Sequence, residues 1–170
     1  MTPKRVNTVV VGAGQAGLAM SAHLRDHQID HVVLERDSIA ERWRNARWDS
    51  LVMNGPAWHD RFLGMEFSSD PDGFPGKEEV ADYFAAYAEK IAAPIRCGVE
   101  VTEVQRNVGR PGFSVETSDG VIEANSVVAA TGPGPTNSLT PERSAYFSGR
   151  EIERWSEARG IEILGHRPTH

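Results

Sequence analysis

The sequence predicts an α/β fold: a parallel sheet in a three-layer arrangement with helices, carrying an inserted antiparallel β-meander. Three observations predict it. Residues 8–11 (TVVV) are a short β-branched run that breaks into Gly12-Ala13-Gly14-Gln15-Ala16-Gly17. A helical pattern then leads to a second apolar run, residues 31–35, closed by Glu35. Further on, alternating strands and a Ser118-Asp119-Gly120 turn precede a third apolar run, residues 126–131. Buried parallel strands read as continuous apolar runs and half-buried antiparallel strands as alternation, so each kind of run assigns its part of the sheet.

In chain order, residues 1–7 are a polar leader and residues 8–11 a buried strand. The helix over residues 14–27 uses Ala16, Ala19 and Ala22 with Leu18 and Leu24, small side chains suited to lying close on a sheet. The glycines have separate tasks in a dinucleotide cradle. Gly12 permits the tight turn, Gly14 lets a pyrophosphate approach the backbone, and Gly17 lets the helix lie on the strand. The helix N-terminus offers unpaired N–H groups to the phosphates. Glu35 lies about 20 residues beyond the glycines, where an acid binds the ribose hydroxyls. An acid there disfavours a 2′-phosphate, so the expected ligand is NAD or FAD rather than NADP.

Residues 36–74 break the βαβ rhythm. They hold Trp43, Trp48 and Trp58, three of the four tryptophans, among arginines, prolines and glycines. Such a stretch suits either a groove over a large flat ligand and its phosphates or a surface loop pinned by buried tryptophans. Residues 77–92 are a helix whose Val80, Tyr83, Phe84, Tyr87, Ala88 and Ile91 form one apolar stripe. Glu78 and Glu79 favour its first turn and Pro94 ends it. The meander comprises an alternating strand over residues 98–104, a second with Phe113, Val115 and Thr117, and a third at residues 121–123. Residues 126–131 are a further buried strand. Beyond Pro133 the sequence reads as a linker to Thr140, a short charged helix at 151–159 and a strand at 161–164.

Composition narrows function. Hydrophobic residues make up 39% and charged residues 25% of 170 residues, with net charge −6 and no basic block. That suits one globular domain and argues against a nucleic-acid surface. No apolar run is long enough to span a membrane and the N-terminus does not read as a signal peptide, so a cytoplasmic location is expected. Cys97 is the one cysteine, which leaves no dithiol; it reads as structural and unreactive. His23 and His27 share a helix face but lack a third ligand, and they read as solvent-facing; no metal site is expected. His59 and Asp60 read as loop residues.

Four segments in order resemble a family: VVVGAGQAGLA with Glu35, ERWRNARWDSLVMN, FPGKEEVADYFAAYA, and VEVTEV followed by VVAATG. They are similar to the N-terminal FAD-binding part of the flavin-dependent monooxygenases, which include flavin-containing and Baeyer–Villiger monooxygenases. The resemblance covers residues 6–135. It implies a Rossmann-like FAD-binding domain over 1–135, with 136–170 a linker and a tail outside the family pattern. It implies that Gly12, Gly14 and Gly17 hold the FAD pyrophosphate and that Glu35 binds the adenosine ribose. Gln15, Ala16 and Arg36 count as cofactor-binding beside them. Arg42 and Trp43 would lie along the FAD, Val101 would meet the adenine through its backbone, and Thr131 and Gly132 would pass the cofactor. Asn54 would lie beside the isoalloxazine as the candidate catalytic residue, although the preceding position is Met53 where the family has Thr. The implied activity is oxidation of a small-molecule substrate by O2, with flavin reduced by NADPH.

The family binds NADPH on a second domain with its own glycine fingerprint, and a later segment returns to complete the FAD domain. Neither pattern occurs in these 170 residues. Phe147-Ser148-Gly149 starts like the monooxygenase fingerprint FxGxxxHxxxW, but Glu153 stands at its His, Glu157 at its aromatic, and Trp155 is out of step. The expectation is therefore a fold incomplete at its C-terminal side that relies on a partner chain or self-association. A non-catalytic dinucleotide-binding module is the alternative.

Overall fold

The computed structural model describes residues 4–132. The linker, the 151–159 helix, the 161–164 strand and the Phe147 motif lie outside the described residues. The first strand, β1, runs Lys4–Val11. The apolar signal alone placed its start at Thr8 and left residues 4–7 in a leader. They are strand because Lys4, Arg5 and Val6 pair in register with Ile122, Glu123 and Ala124. The helix α1 (Gln15–Asp26) follows, then the strand β2 (His31–Glu35). The short helices α2 (Glu41–Asn45) and α3 (Ala57–Asp60) interrupt the irregular stretch. The long helix α4 (Lys77–Lys90) buries Val80, Tyr83, Phe84, Tyr87 and Ala88 as the 3.6 periodicity requires.

A three-residue strand, β3 (Ile95–Cys97), pairs parallel with β2. Cys97 therefore ends a parallel edge strand rather than heading the meander. Gly98, at φ +73°, separates it from β4 (Val101–Arg106), so the expected strand at 98–104 begins three residues later. The strand β5 (Phe113–Thr117) turns at Ser118-Asp119 into β6 (Gly120–Ala129). The two strands expected at 121–123 and 126–131 are this single element. Its first half is antiparallel to β5 and its length is parallel to β1. Its second half is only partly buried, because Val127 and Val128 each have one face against the core.

The sheet order is β3-β2-β1-β6-β5-β4. Alternation along β1 sends Val9 to one face and Val10 to the other. In one cluster Val6, Val9, Val32 and Leu34 pack with Val99, Val115 and Ile122 of the meander region. In another, Val10 and Val33 pack against Leu24 of α1. All six strands thus belong to one mixed sheet, whose antiparallel part continues from the parallel part through β6. A third cluster joins Leu18 and Ala22 of α1 to the α4 stripe and to Ala40, Met53, Phe62 and Phe67 of the irregular stretch. Each large side chain buried there contributes about 1.5–3 kcal/mol. Phe62 and Phe67 stack on Tyr83 at centroid distances of 5.6 and 3.8 Å. The Tyr83 hydroxyl accepts the Phe62 N–H and donates to the Met65 carbonyl, both at 2.7 Å. Burial pushes that phenol upward from its ordinary pKa. The irregular stretch is therefore pinned by Phe62, Phe67 and Trp43, while Trp48 (61% exposed) and Trp58 (53%) face outward. No described helix is long and apolar enough to cross a membrane.

Candidate dinucleotide site

The site forms where β1, β2 and β6 end together. The chain leaves β1 for β2 on one side while β6 lies on the other, which opens a crevice at the carboxyl ends of the strands. Gly12 donates its N–H to the Leu34 carbonyl (2.8 Å), and Ala130 donates to the Val11 carbonyl (2.8 Å). These bonds close the three strand ends around the glycine turn.

The glycines are not equivalent. Gly12 has φ +106°, and a Cβ on it would stand 2.5 Å from the Ala130 carbonyl oxygen and 3.4 Å from Thr131 Cα. A Cβ on Gly17 would stand 1.9 Å from the Gly12 carbonyl oxygen. Both serve close approach of backbone to backbone. Gly14, the N-cap of α1 at φ −86°, has nothing within 4 Å of its Cβ position. Its missing side chain opens space toward solvent. Gln15 and Ala16 are exposed in the first turn, whose N–H groups have no intrahelical acceptor. No acidic side chain occupies that turn, whereas the first turn of α4 has Glu78 and Glu79. The positive end of the α1 dipole is left for an anion.

Glu35 reaches across from β2. Its Oε2 accepts the Ala13 N–H at 2.8 Å and its Oε1 accepts the Asp37 N–H at 3.1 Å. The acid therefore braces the glycine turn itself, a role the spacing rule does not reveal. The segment before β4 lies alongside: Val99 donates to the Glu35 carbonyl (3.0 Å) and Gly98 to the Asp37 carbonyl (3.3 Å). Partly buried Val101 follows on the same segment. Thr131 and Gly132 are exposed at the end of β6, Gly132 at φ +69°. The structure thus brings together Gly12, Gly14, Gln15, Ala16, Gly17, Glu35, Thr131 and Gly132, with Val101 beside them.

Arg36 is exposed and pairs with Asp37 (3.0 Å). The chain then turns through Ala40, buried at φ +59°, into α2. An alanine in that region carries local strain. Arg42 is partly buried on α2, and Trp43 packs against the cluster that holds Leu18 of α1. Trp43 meets Phe84 edge-on, and the Arg47 guanidinium lies 5.8 Å above the Trp43 ring. Arg44 faces away to Asp82 (2.7 Å) and Glu78 (3.6 Å) of α4.

Asn54 lies on a different turn, exposed and without a side-chain hydrogen bond among the described residues. Asp60 holds that turn. Its Oδ2 accepts the Gly55 N–H (2.9 Å) and its Oδ1 lies 2.7 Å from His59 Nδ1. Asp60 is thus a structural anchor, which adjacency to His59 in sequence did not indicate. Cys97 is exposed; partial burial of its thiol, and then the Glu35 charge, push it above the ordinary thiol range. His23 and His27 are both exposed, and no metal-binding cluster occurs among the described residues.

The family described as pyridine nucleotide-disulphide oxidoreductase matches residues 9–138. The chain belongs to that family. It is 41% identical over 129 residues to an uncharacterized CzcO-like oxidoreductase of Geobacillus kaustophilus, covering 75% of this chain and 36% of that relative. It is 32% identical over 126 residues to the indole-3-pyruvate monooxygenase YUCCA1 of rice (Oryza sativa), covering 73% of this chain and 31% of that one. Among solved structures, a flavin-containing monooxygenase from Stenotrophomonas maltophilia superposes with TM-score 0.66 at 29% identity, covering 75% of this chain and 38% of that one. The bacillithiol disulfide reductase of Staphylococcus aureus shares the fold, with TM-score 0.68 at 18% identity over 76% of this chain and 39% of that one. The resemblance to flavin-dependent monooxygenases drawn from four short segments is borne out by the rice and Stenotrophomonas relatives. The chain spans 36–38% of the length of the CzcO-type relatives.

Proposed function

We propose that residues 1–135 are the FAD-holding part of a flavin-dependent oxidoreductase of monooxygenase type. The observation that carries this reading is the division of labour among the glycines. Gly12 and Gly17 are filled by backbone, Gly14 faces open space, and Glu35 braces the turn between them. That cradle suits a dinucleotide pyrophosphate. Bound FAD would carry electrons from NADPH to O2. The chain's residues bind and orient it. The first N–H groups of α1, at Gln15, Ala16 and Gly17, face the phosphates. Glu35 meets the adenosine ribose while its Oε2 stays on the Ala13 N–H. Arg36, Arg42, Trp43, Val101, Thr131 and Gly132 line the cofactor, and Asn54 approaches the flavin end. The dithiol chemistry in the family's name is disfavoured, because Cys97 is the one cysteine and its thiol is pushed away from the thiolate.

A binding module that holds FAD without turning it over by itself is the second reading. It comes with a partner chain or self-association supplying the NADPH site. The test of the first reading is to mix the purified chain with FAD, desalt, and record visible absorbance. Flavin should co-elute with protein in near-stoichiometric amount; protein free of flavin sinks the reading. FAD-dependent NADPH oxidation by the isolated chain would rule out the second.

A further inference from the structure

Two described arginines, Arg47 and Arg106, lie over aromatic rings, Trp43 and Phe113. Arg25, Arg36, Arg44, Arg61, Arg96 and Arg110 each pair with a carboxylate. Arg47 pairs with none among the described residues. Its Nε is buried and has no hydrogen-bond partner. The guanidinium is held 5.8 Å over the Trp43 ring, a cation–π contact that fixes its plane without using any N–H. A buried donor on a permanently charged group is costly when unpaired, and native structures rarely keep one without a reason. Trp43 in turn packs on the cluster that contains Leu18, the residue next to Gly17 of the glycine cradle.

We propose that Arg47 is a phosphate-binding residue of the cofactor cleft, stacked on Trp43 so that its Nε is kept for a phosphoryl oxygen of the dinucleotide. The proposal rests on the FAD reading above and extends it to a residue for which motif spacing indicates no role. Guanidinium suits this task because its planar fork meets phosphate oxygens with charge-assisted hydrogen bonds. A lysine would keep the charge but lose both the planar stack and the Nε donor.

The test measures FAD affinity by flavin-fluorescence titration for wild type, Arg47→Ala and Arg47→Lys, with ADP as a competitor and apo-protein melting as a control. Arg47→Ala should weaken FAD by about 10–100-fold and weaken ADP by the same factor, since ADP keeps the pyrophosphate. Arg47→Lys should recover less than half of that loss on a logarithmic scale. The apo melting temperature should stay level or rise, because an unsatisfied donor is removed; a purely structural residue would lower it. FAD binding within twofold of wild type in Arg47→Ala overturns the proposal and leaves the FAD reading standing. Weakened FAD with unchanged ADP also overturns it, by placing the contact on the flavin half. Wild type that takes no FAD removes the reading and the proposal together. If Arg47→Ala fails to fold, Arg47→Lys decides: wild-type affinity in it overturns the proposal.

Discussion

Replacing Gly17 by alanine tests the cradle geometry most directly. The added Cβ would sit 1.9 Å from the Gly12 carbonyl oxygen and 3.0 Å from its carbon, with Ala130 Cβ at 3.6 Å. Real Cβ atoms stay beyond 3.0 Å, so the first turn of α1 must retreat by about 1 Å from the β1 end. The obstacle is backbone already fixed by the Gly12 to Leu34 bond, so no side chain can swing aside. Overpacking of this kind costs about 3 kcal/mol or more, while alanine regains about 1 kcal/mol of helix propensity over glycine. The net loss is about 2 kcal/mol, or roughly 6 °C in melting temperature for a domain of this size. Gly14→Ala is the internal control. With nothing within 4 Å and φ −86°, it should cost under about 1 kcal/mol as an N-cap change, yet weaken FAD binding. Thermal melting and FAD titration on both variants give the answer. Equal melting losses in the two, or a Gly17→Ala protein as stable as wild type, would refute the reasoning.

Other outcomes follow from single contacts. Tyr83→Phe strands the Phe62 N–H and the Met65 carbonyl and should cost about 2 kcal/mol in urea denaturation; a loss under about 0.5 kcal/mol contradicts the bond pair. Glu35→Ala should loosen the glycine turn, raising hydrogen exchange at the Ala13 amide, whereas Glu35→Gln keeps an acceptor and should protect it; equal exchange in both variants speaks against the brace. The Cys97 thiol is pushed up, so the reactive thiolate is scarce at neutral pH and grows as pH rises. Its alkylation rate should reach half-maximum above the ordinary thiol pKa of about 8.5, and a midpoint at or below that value refutes the shift.

Where the signal is local and periodic, sequence and structure coincide. The glycine turn with its flanking strand and helix, the α4 stripe from Val80 to Ala88 and the Ser118-Asp119-Gly120 turn all lie where the pattern places them. The misplacements share a physical cause. β3 is three residues long, too short for any period, and exists because Val33, Leu34 and Glu35 offer it an edge. β6 reads as two strands because its environment changes midway, from β5 and β1 together to β1 alone. The tryptophans gave an undecided reading because aromatic content does not reveal orientation; Trp43 turns inward and Trp48 outward.

By itself the sequence determined the dinucleotide-type cradle, the family to which the chain belongs and the helix that backs it, since these depend on residue type at fixed short spacing. Tertiary structure alone decided which glycine is free to face a ligand, that Glu35 braces the turn it was expected only to serve, and that Arg47 keeps a buried donor unpaired. Each of those depends on what a residue meets across space. Gly12, Gly14 and Gly17 are identical letters, and only the backbone brought against two of them makes the third the open one.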